Sequence, residues 1–154
     1  MTFVFKKFIP AFIFLLIVTV LLCLPPSKLP NTGGNWFSYY QIDKLVHITL
    51  FAILVFLFCR PIQLKGLFTN IITKVYFVLV IVFTMYGFIM ELVQHYLVYG
   101  RSFEGLDILA DAVGSYIGYA IAKKQLQKIK PPTTESVKAE IKEYATKLME
   151  KRKG

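Results

Sequence analysis

Four apolar runs, each 15 to 17 residues long and each bounded by charge or proline, constrain this chain more than any other feature of it. They span Phe8 to Leu24, Leu45 to Cys59, Val75 to Met90 and Ile108 to Ala122. A helix needs about 20 predominantly apolar residues to cross a bilayer core, so each run reaches spanning length only with its flanks. The polar groups on those flanks are therefore expected at the membrane boundary. The spacing predicts an all-α membrane protein: four transmembrane helices in a compact bundle over residues 1–124, at about 8–24, 43–59, 73–95 and 106–122. Residues 125–154 read as a basic cytoplasmic tail with an amphipathic helix at about 134–150.

Composition agrees. The chain is 56% hydrophobic and 18% charged, with a mean hydropathy of +0.58, which is too apolar for an ordinary soluble domain of 154 residues. The net charge of +9 does not indicate nucleic acid, because six of those charges lie from Lys123 onward, in a tail without a groove-lining pattern of aromatics. Cys23 and Cys59 fall near opposite faces of the predicted bundle and read as apolar residues, not as a disulfide. The first run resembles a signal peptide in its basic start. However, "LLCLPPSK" offers no small-x-small cleavage site, and a retained helix is expected, with Pro10 in its first turn.

Positive charge orients the bundle. With the N-terminus inside, the inner segments hold Lys6, Lys7, Arg60, Lys65, Lys74, Lys123, Lys124, Lys128 and Lys130, while the outer ones hold Lys28, Lys44 and Arg101. Both termini are thus expected in the cytoplasm. The outer segment "PPSKLPNTGGNWFSYYQ" reads as a loop whose Trp36, Phe37, Tyr39 and Tyr40 form an interfacial belt. In the tail, Val137, Ile141, Tyr144 and Leu148 recur at steps of four, three and four. This is the pattern of a helix that lies on a leaflet or pairs as a short coiled coil.

The same topology gathers the ionisable residues at the outer face. Asp43, Lys44 and His47 open the second helix; Glu91, Gln94 and His95 close the third; Arg101 lies in the turn; Asp107 and Asp111 open the fourth. Asp43 and His47 share a helix face, as do Glu91, Gln94 and His95. Asp107, Asp111, Gly114 and Gly118 form one stripe, whose two glycines permit close helix packing and offer a route to a homo-oligomer, as does the C-terminal helix. A charge facing lipid costs about 2.5–3.5 kcal/mol on the insertion scale, so these groups are expected to face one another.

These residues carry a family resemblance. "DKLVHITLFAIL" and "GFIMELVQHYLVYGRSFEGLDILADAVGSYIG" resemble the VanZ-like family of small bacterial membrane proteins named for teicoplanin resistance. The family's Asp-Lys-x-x-His matches Asp43, Lys44 and His47; its Glu-x-x-Gln, Arg and Asp-x-x-x-(Asn)-x-x-Gly match Glu91, Gln94, Arg101, Asp107 and Gly114. Asp111 departs from it, standing where the family more often has Asn. The resemblance runs over about residues 43–122 and implies an integral membrane protein, without a settled reaction.

Three functions fit. In the first, a polar outer pocket of Lys44, Glu91, Gln94, Arg101, Asp107 and Asp111 binds or modifies an anionic envelope component, either a lipid-linked precursor or a phospholipid headgroup, and affects teicoplanin susceptibility. Lys44 and Arg101 would contact phosphate. In the second, an intramembrane hydrolase or transferase acts on a lipid-linked phosphate, with His47 as acid or base and Asp43 orienting it. No cofactor is predicted; a divalent metal is a variant without a strong ligand signature, with His47, Glu91, His95 and Asp107 as plausible ligand types and His47, Glu91 and His95 as the candidates. The third is an oligomeric transporter, for which four helices are few. A purely structural ion-pair network is the alternative to all three.

Overall fold

The computed structural model describes residues 6–25, 36–64, 69–128 and 134–151. Within them the chain is all helical: α1 Ile9–Leu22, α2 Trp36–Cys59, α3 Thr69–Leu97, α4 Gly105–Lys128 and α5 Thr134–Lys151. A short 3-10 turn, Arg60–Leu64, ends α2 where Pro61 removes an amide from the helical ladder. Segments Ile42–Ile62 and Asn70–Leu97 are long and apolar enough to cross a membrane, while Ile9–Leu22 is apolar but shorter.

The second and fourth helices and the charge of the tail helix differ from the sequence reading. The second helix begins at Trp36, not near residue 43, so Trp36 to Tyr40 belong to helix and not to an outer loop; the side chains proposed as a belt lie outside the described residues. The fourth helix continues to Lys128, because Leu126 extends its buried stripe past the lysine pair. The bounds of α5 enclose four lysines and four glutamates, so this helix carries no net charge and the basic excess lies in its flanks. Ile141, Tyr144 and Leu148 are exposed on α5, and Lys147 pairs with Glu143 one turn away.

The least hydrophobic long helix of the bundle is its centre. α4 packs chiefly on α2 and next on α3, and it buries Asp107, Ala110, Asp111, Gly114, Ser115 and Gly118. Glycine decides the approach of α2. A Cβ at Gly114 would strike the Ile48 carbonyl and lie 2.9 Å from its Cα, and one at Gly118 would strike the Ala52 carbonyl. The Gly114/Gly118 stripe is consequently filled from within the chain. α1 leans on α2 and α3 through Ala11, Val18 and Leu22. Phe12 meets Phe58 edge-on at 5.3 Å, and Thr19 Oγ1 lies 2.8 Å from Tyr86 Oη.

Large apolar side chains point outward on all four helices of the bundle: Leu16 is 65% exposed, Ile53 41%, Val78 54% and Leu109 59%. A set of ionisable and amide groups is inside instead. His47, Glu91, Gln94, Asp107 and Asp111 are each at most 2% exposed. This reverses the arrangement of a water-soluble protein, whose buried positions rarely hold carboxylates and whose surface rarely carries continuous apolar area.

Candidate functional site

The polar cluster sits where the N-terminal half of α2, the C-terminal end of α3 and the first two turns of α4 converge. Each helix contributes by its own periodicity. On α2, Asp43 and His47 are one turn apart, with Lys44 beside them. On α3, Gly87, Glu91 and Gln94 follow at four and three. On α4, Asp107 lies in the first turn, where the positive end of the helix dipole favours a carboxylate, and Asp111 lies a turn further in.

Lysine 44 is the local hub. Its ammonium donates to Glu104 Oε2 at 2.7 Å and to Asp107 Oδ1, and lies 3.8 Å from Asp43 Oδ2. It therefore joins α2 to the start of α4 and is already held by carboxylates. Glu104 was left out of the sequence-derived site. The signal for it was present, in a charged residue one turn before Asp107 that marks the start of α4. Its backbone amide donates to Glu91 Oε1, and its carbonyl accepts from the Asp107 amide at 2.9 Å. Glu91 thus pins the entry to α4.

Histidine 47 pairs with Asp111, not with Asp43. Nδ1 lies 2.8 Å from Asp111 Oδ1, and both side chains are buried. With a carboxylate as partner, Nδ1–H donates, and in the neutral ring the lone pair falls on Nε2. The sequence reading expects Asp43 in that orienting role, and Asp43 stays in the same cluster, with its ligand atom within 4.8 Å of one on His47. The pairing depends on Gly87, which the sequence reading also missed: a Cβ there would run into the Asp111 side chain, 2.9 Å from its Cβ. Gly87 stands four residues before Glu91 on the same stripe, so its position was readable.

The remaining candidates divide. Gln94 Nε2 donates to the Leu22 carbonyl at 2.7 Å, tying α3 to the last turn of α1. Arg101 follows a turn in which Gly100 adopts φ 82°, a conformation that favours glycine, and its Nη1 reaches within 3.8 Å of Asp43 Oδ2. Its buried Nε has no hydrogen-bond partner among the described residues. His95 is exposed and meets Tyr96 and Phe103. It does not join His47 and Glu91 as a ligand set. Instead, ligand atoms of Asp43, His47 and Asp107 all lie within 4.8 Å of one another.

The charge of the cluster is strongly asymmetric. Asp43, Glu91, Glu104, Asp107 and Asp111 bring five carboxyl groups against Lys44 and Arg101, with His47 between them. Such a set attracts cations and protons. No family model, curated protein or solved structure matches the chain.

Proposed function

We propose that the chain is a multi-pass protein of the bacterial cytoplasmic membrane, with both termini in the cytoplasm, and that the polar cluster at its extracytoplasmic end takes an anionic, lipid-linked envelope component. The observation that carries this reading is the inversion of the bundle. Apolar side chains cover its outside while a charged cluster, drawn from both sequence blocks that resemble the VanZ-like family, is enclosed at one end. A membrane explains the exterior, since lipid replaces water around Leu16, Val78 and Leu109. The opposite end supports the orientation, because Lys7 and Arg60 line a cleft of about 240 Å³ with Pro10, Leu57 and Pro61 there. Basic residues at that end fit the cytoplasmic side.

Stability alone is a weak reason to retain so many buried charges, because apolar replacement of buried ion pairs is often neutral or stabilising. A second reading, acid–base chemistry on a lipid-linked phosphate, is favoured by the His47–Asp111 pair. A carboxylate on Nδ1 fixes the ring and leaves Nε2 to accept a proton.

One experiment addresses both readings: teicoplanin susceptibility of a sensitive host expressing wild type, Glu91→Ala or His47→Ala at matched membrane levels. Protection by wild type, lost in Glu91→Ala, is the expected result for an envelope-directed site. Loss in His47→Ala with retained binding of lipid-linked phosphate assigns the chemistry to the imidazole. Equal susceptibility with and without correctly inserted wild type refutes the link to glycopeptides.

A further inference from the structure

The acidic surplus of the cluster conflicts with direct binding of an anion, and the geometry supplies a resolution. We propose that Asp43, His47 and Asp107 hold a divalent transition ion, and that this ion is what receives the phosphate of a lipid-linked ligand; the second clause rests on the function proposed above.

Three features lead here. The first is the donor set. Two carboxylates and one imidazole, contributed by two helices, bring ligand atoms within 4.8 Å of one another, close enough for one ion to bridge them. Imidazole with carboxylate suits Zn²⁺ or Mn²⁺ better than Mg²⁺ or Ca²⁺, which prefer oxygen alone.

The second is the neighbour of the imidazole. Metal-bound histidines usually donate their other ring N–H to a carboxylate, which fixes the tautomer and strengthens the ligand. His47 makes this contact with Asp111 at 2.8 Å, which in the neutral ring leaves the lone pair on Nε2. Asp111 stands where the resemblance leads one to expect Asn. A carboxylate there is the stronger partner for an imidazole that carries a metal.

The third is charge. Lys44 and Arg101 balance two of the five carboxyl groups, and an ion of charge two offsets most of the remainder in a place where uncompensated charge is costly. Lys44 shares Asp107 with the proposed site. It holds Asp107 through Oδ1, and the carboxylate has a second oxygen to give, while Glu104 stays with the ammonium. An ion with three protein ligands keeps open positions, and a phosphate oxygen can fill one of them.

The test uses the full chain in detergent, stripped with chelator and titrated with Zn²⁺ and with Mn²⁺. Metal per chain is read by mass spectrometry and affinity by calorimetry. Wild type is expected to bind about one equivalent of one ion. Asp43→Asn and His47→Ala each lower its affinity at least tenfold, and Asp111→Asn lowers it roughly 10- to 100-fold through the ring. His95→Ala, on the exposed histidine, leaves it unchanged. Thermal unfolding of each metal-free variant is followed alongside, so that a misfolded protein is not read as a lost ligand.

Stoichiometry far below one, or binding that survives His47→Ala and disappears in His95→Ala, overturns the proposal. Nanodiscs of neutral lipid doped with a polyprenyl phosphate or with phosphatidylglycerol separate the two parts and the two sources of phosphate. Metal-dependent retention of one phosphate and not the other names the source. Ion binding without retention of either upholds the metal site and refutes the ligand; retention that is equal in chelator refutes the metal and upholds the ligand.

Discussion

Lysine 44 shows how one side chain can hold a cluster together. It reaches Glu104 and Asp107 across the α2–α4 junction, with Asp43 close by. Removing it leaves carboxylates facing each other in a confined space, and breaking a buried pair by deleting one partner costs about 3–5 kcal/mol. Lys44 is partly accessible, so the lower end of that range applies. Lys147 is the internal comparison, because its pair with Glu143 on α5 is exposed and one helical turn apart. Pairs of that kind contribute about 0.3–0.5 kcal/mol. Lys44→Met is therefore expected to lower the unfolding temperature in detergent by several degrees, and Lys147→Met by an amount near the error of the measurement. Equal shifts would mean that the Lys44 contacts contribute no more than surface ones.

Residue-scale geometry also marks where sequence reasoning reached its limit. That Asp43, His47, Glu91, Asp107 and Asp111 converge was legible from helical spacing, because charge in an apolar chain has to face charge. The partners were not. Spacing of four made Asp43 the obvious companion of His47. The contact with Asp111 arises from the approach of three helices, which small residues at Gly87 and Gly114 permit. His95 failed for a rotational reason. The buried stripe of α3 runs through Tyr76, Phe83, Gly87, Met90 and Gln94. At about 100° per residue, Glu91 lies about 70° off the centre of that stripe and His95 about 110° off it, outside the bundle.

At the scale of elements, the α2–α4 contact is set by backbone meeting backbone. In the membrane proposed for this chain no water drives apolar faces together, so helices associate through close packing, and small residues at the crossing make it possible. Gly114 and Gly118 sit one turn apart on α4 against Ile48 and Ala52. Neither neighbouring atom is the end of a flexible side chain, so an added group must push the helices apart. Overpacking of this kind costs about 1–3 kcal/mol for small additions. Gly114→Leu, far larger than a methyl, is expected to abolish the folded bundle or lower its unfolding temperature sharply. Leu109→Ala on the exposed face of the same helix should change little. Thermal unfolding of the two variants in one detergent compares them. Similar stability of both would show that α2 and α4 do not cross at the glycines. The stripe was legible in the sequence; that α2 of the same chain fills it was not, because spacing identifies a contact face and not its occupant.

At the scale of the whole molecule, charge is sorted along the bundle. All five of its carboxyl groups lie in the cluster built from α2, α3 and the start of α4, and no acidic residue occurs between Lys44 and Glu91. Arg60, Lys74, Lys123 and Lys124 lie at the other ends of those same helices, and Lys7 lies beside Arg60 in the basic cleft. An apolar middle with an acidic end and a basic end is a vector, and insertion machinery reads the basic end as cytoplasmic. The proposed topology then places Ser102, an exposed residue beside Arg101, outside, and Lys124, exposed on α4, inside. Cysteine introduced at Ser102 is expected to react with a membrane-impermeant maleimide in intact cells. Cysteine at Lys124 should react only after the membrane is opened. The native Cys59 is buried and Cys23 half-buried, and a parent with both replaced by Ala or Ser removes their background. The reverse labelling pattern would put the acidic cluster in the cytoplasm, where a lipid-linked precursor on the outer leaflet cannot reach it. Labelling at both positions in intact cells would mean that the chain does not span the membrane at all, and the apolar exterior of the bundle would then have to be covered by protein.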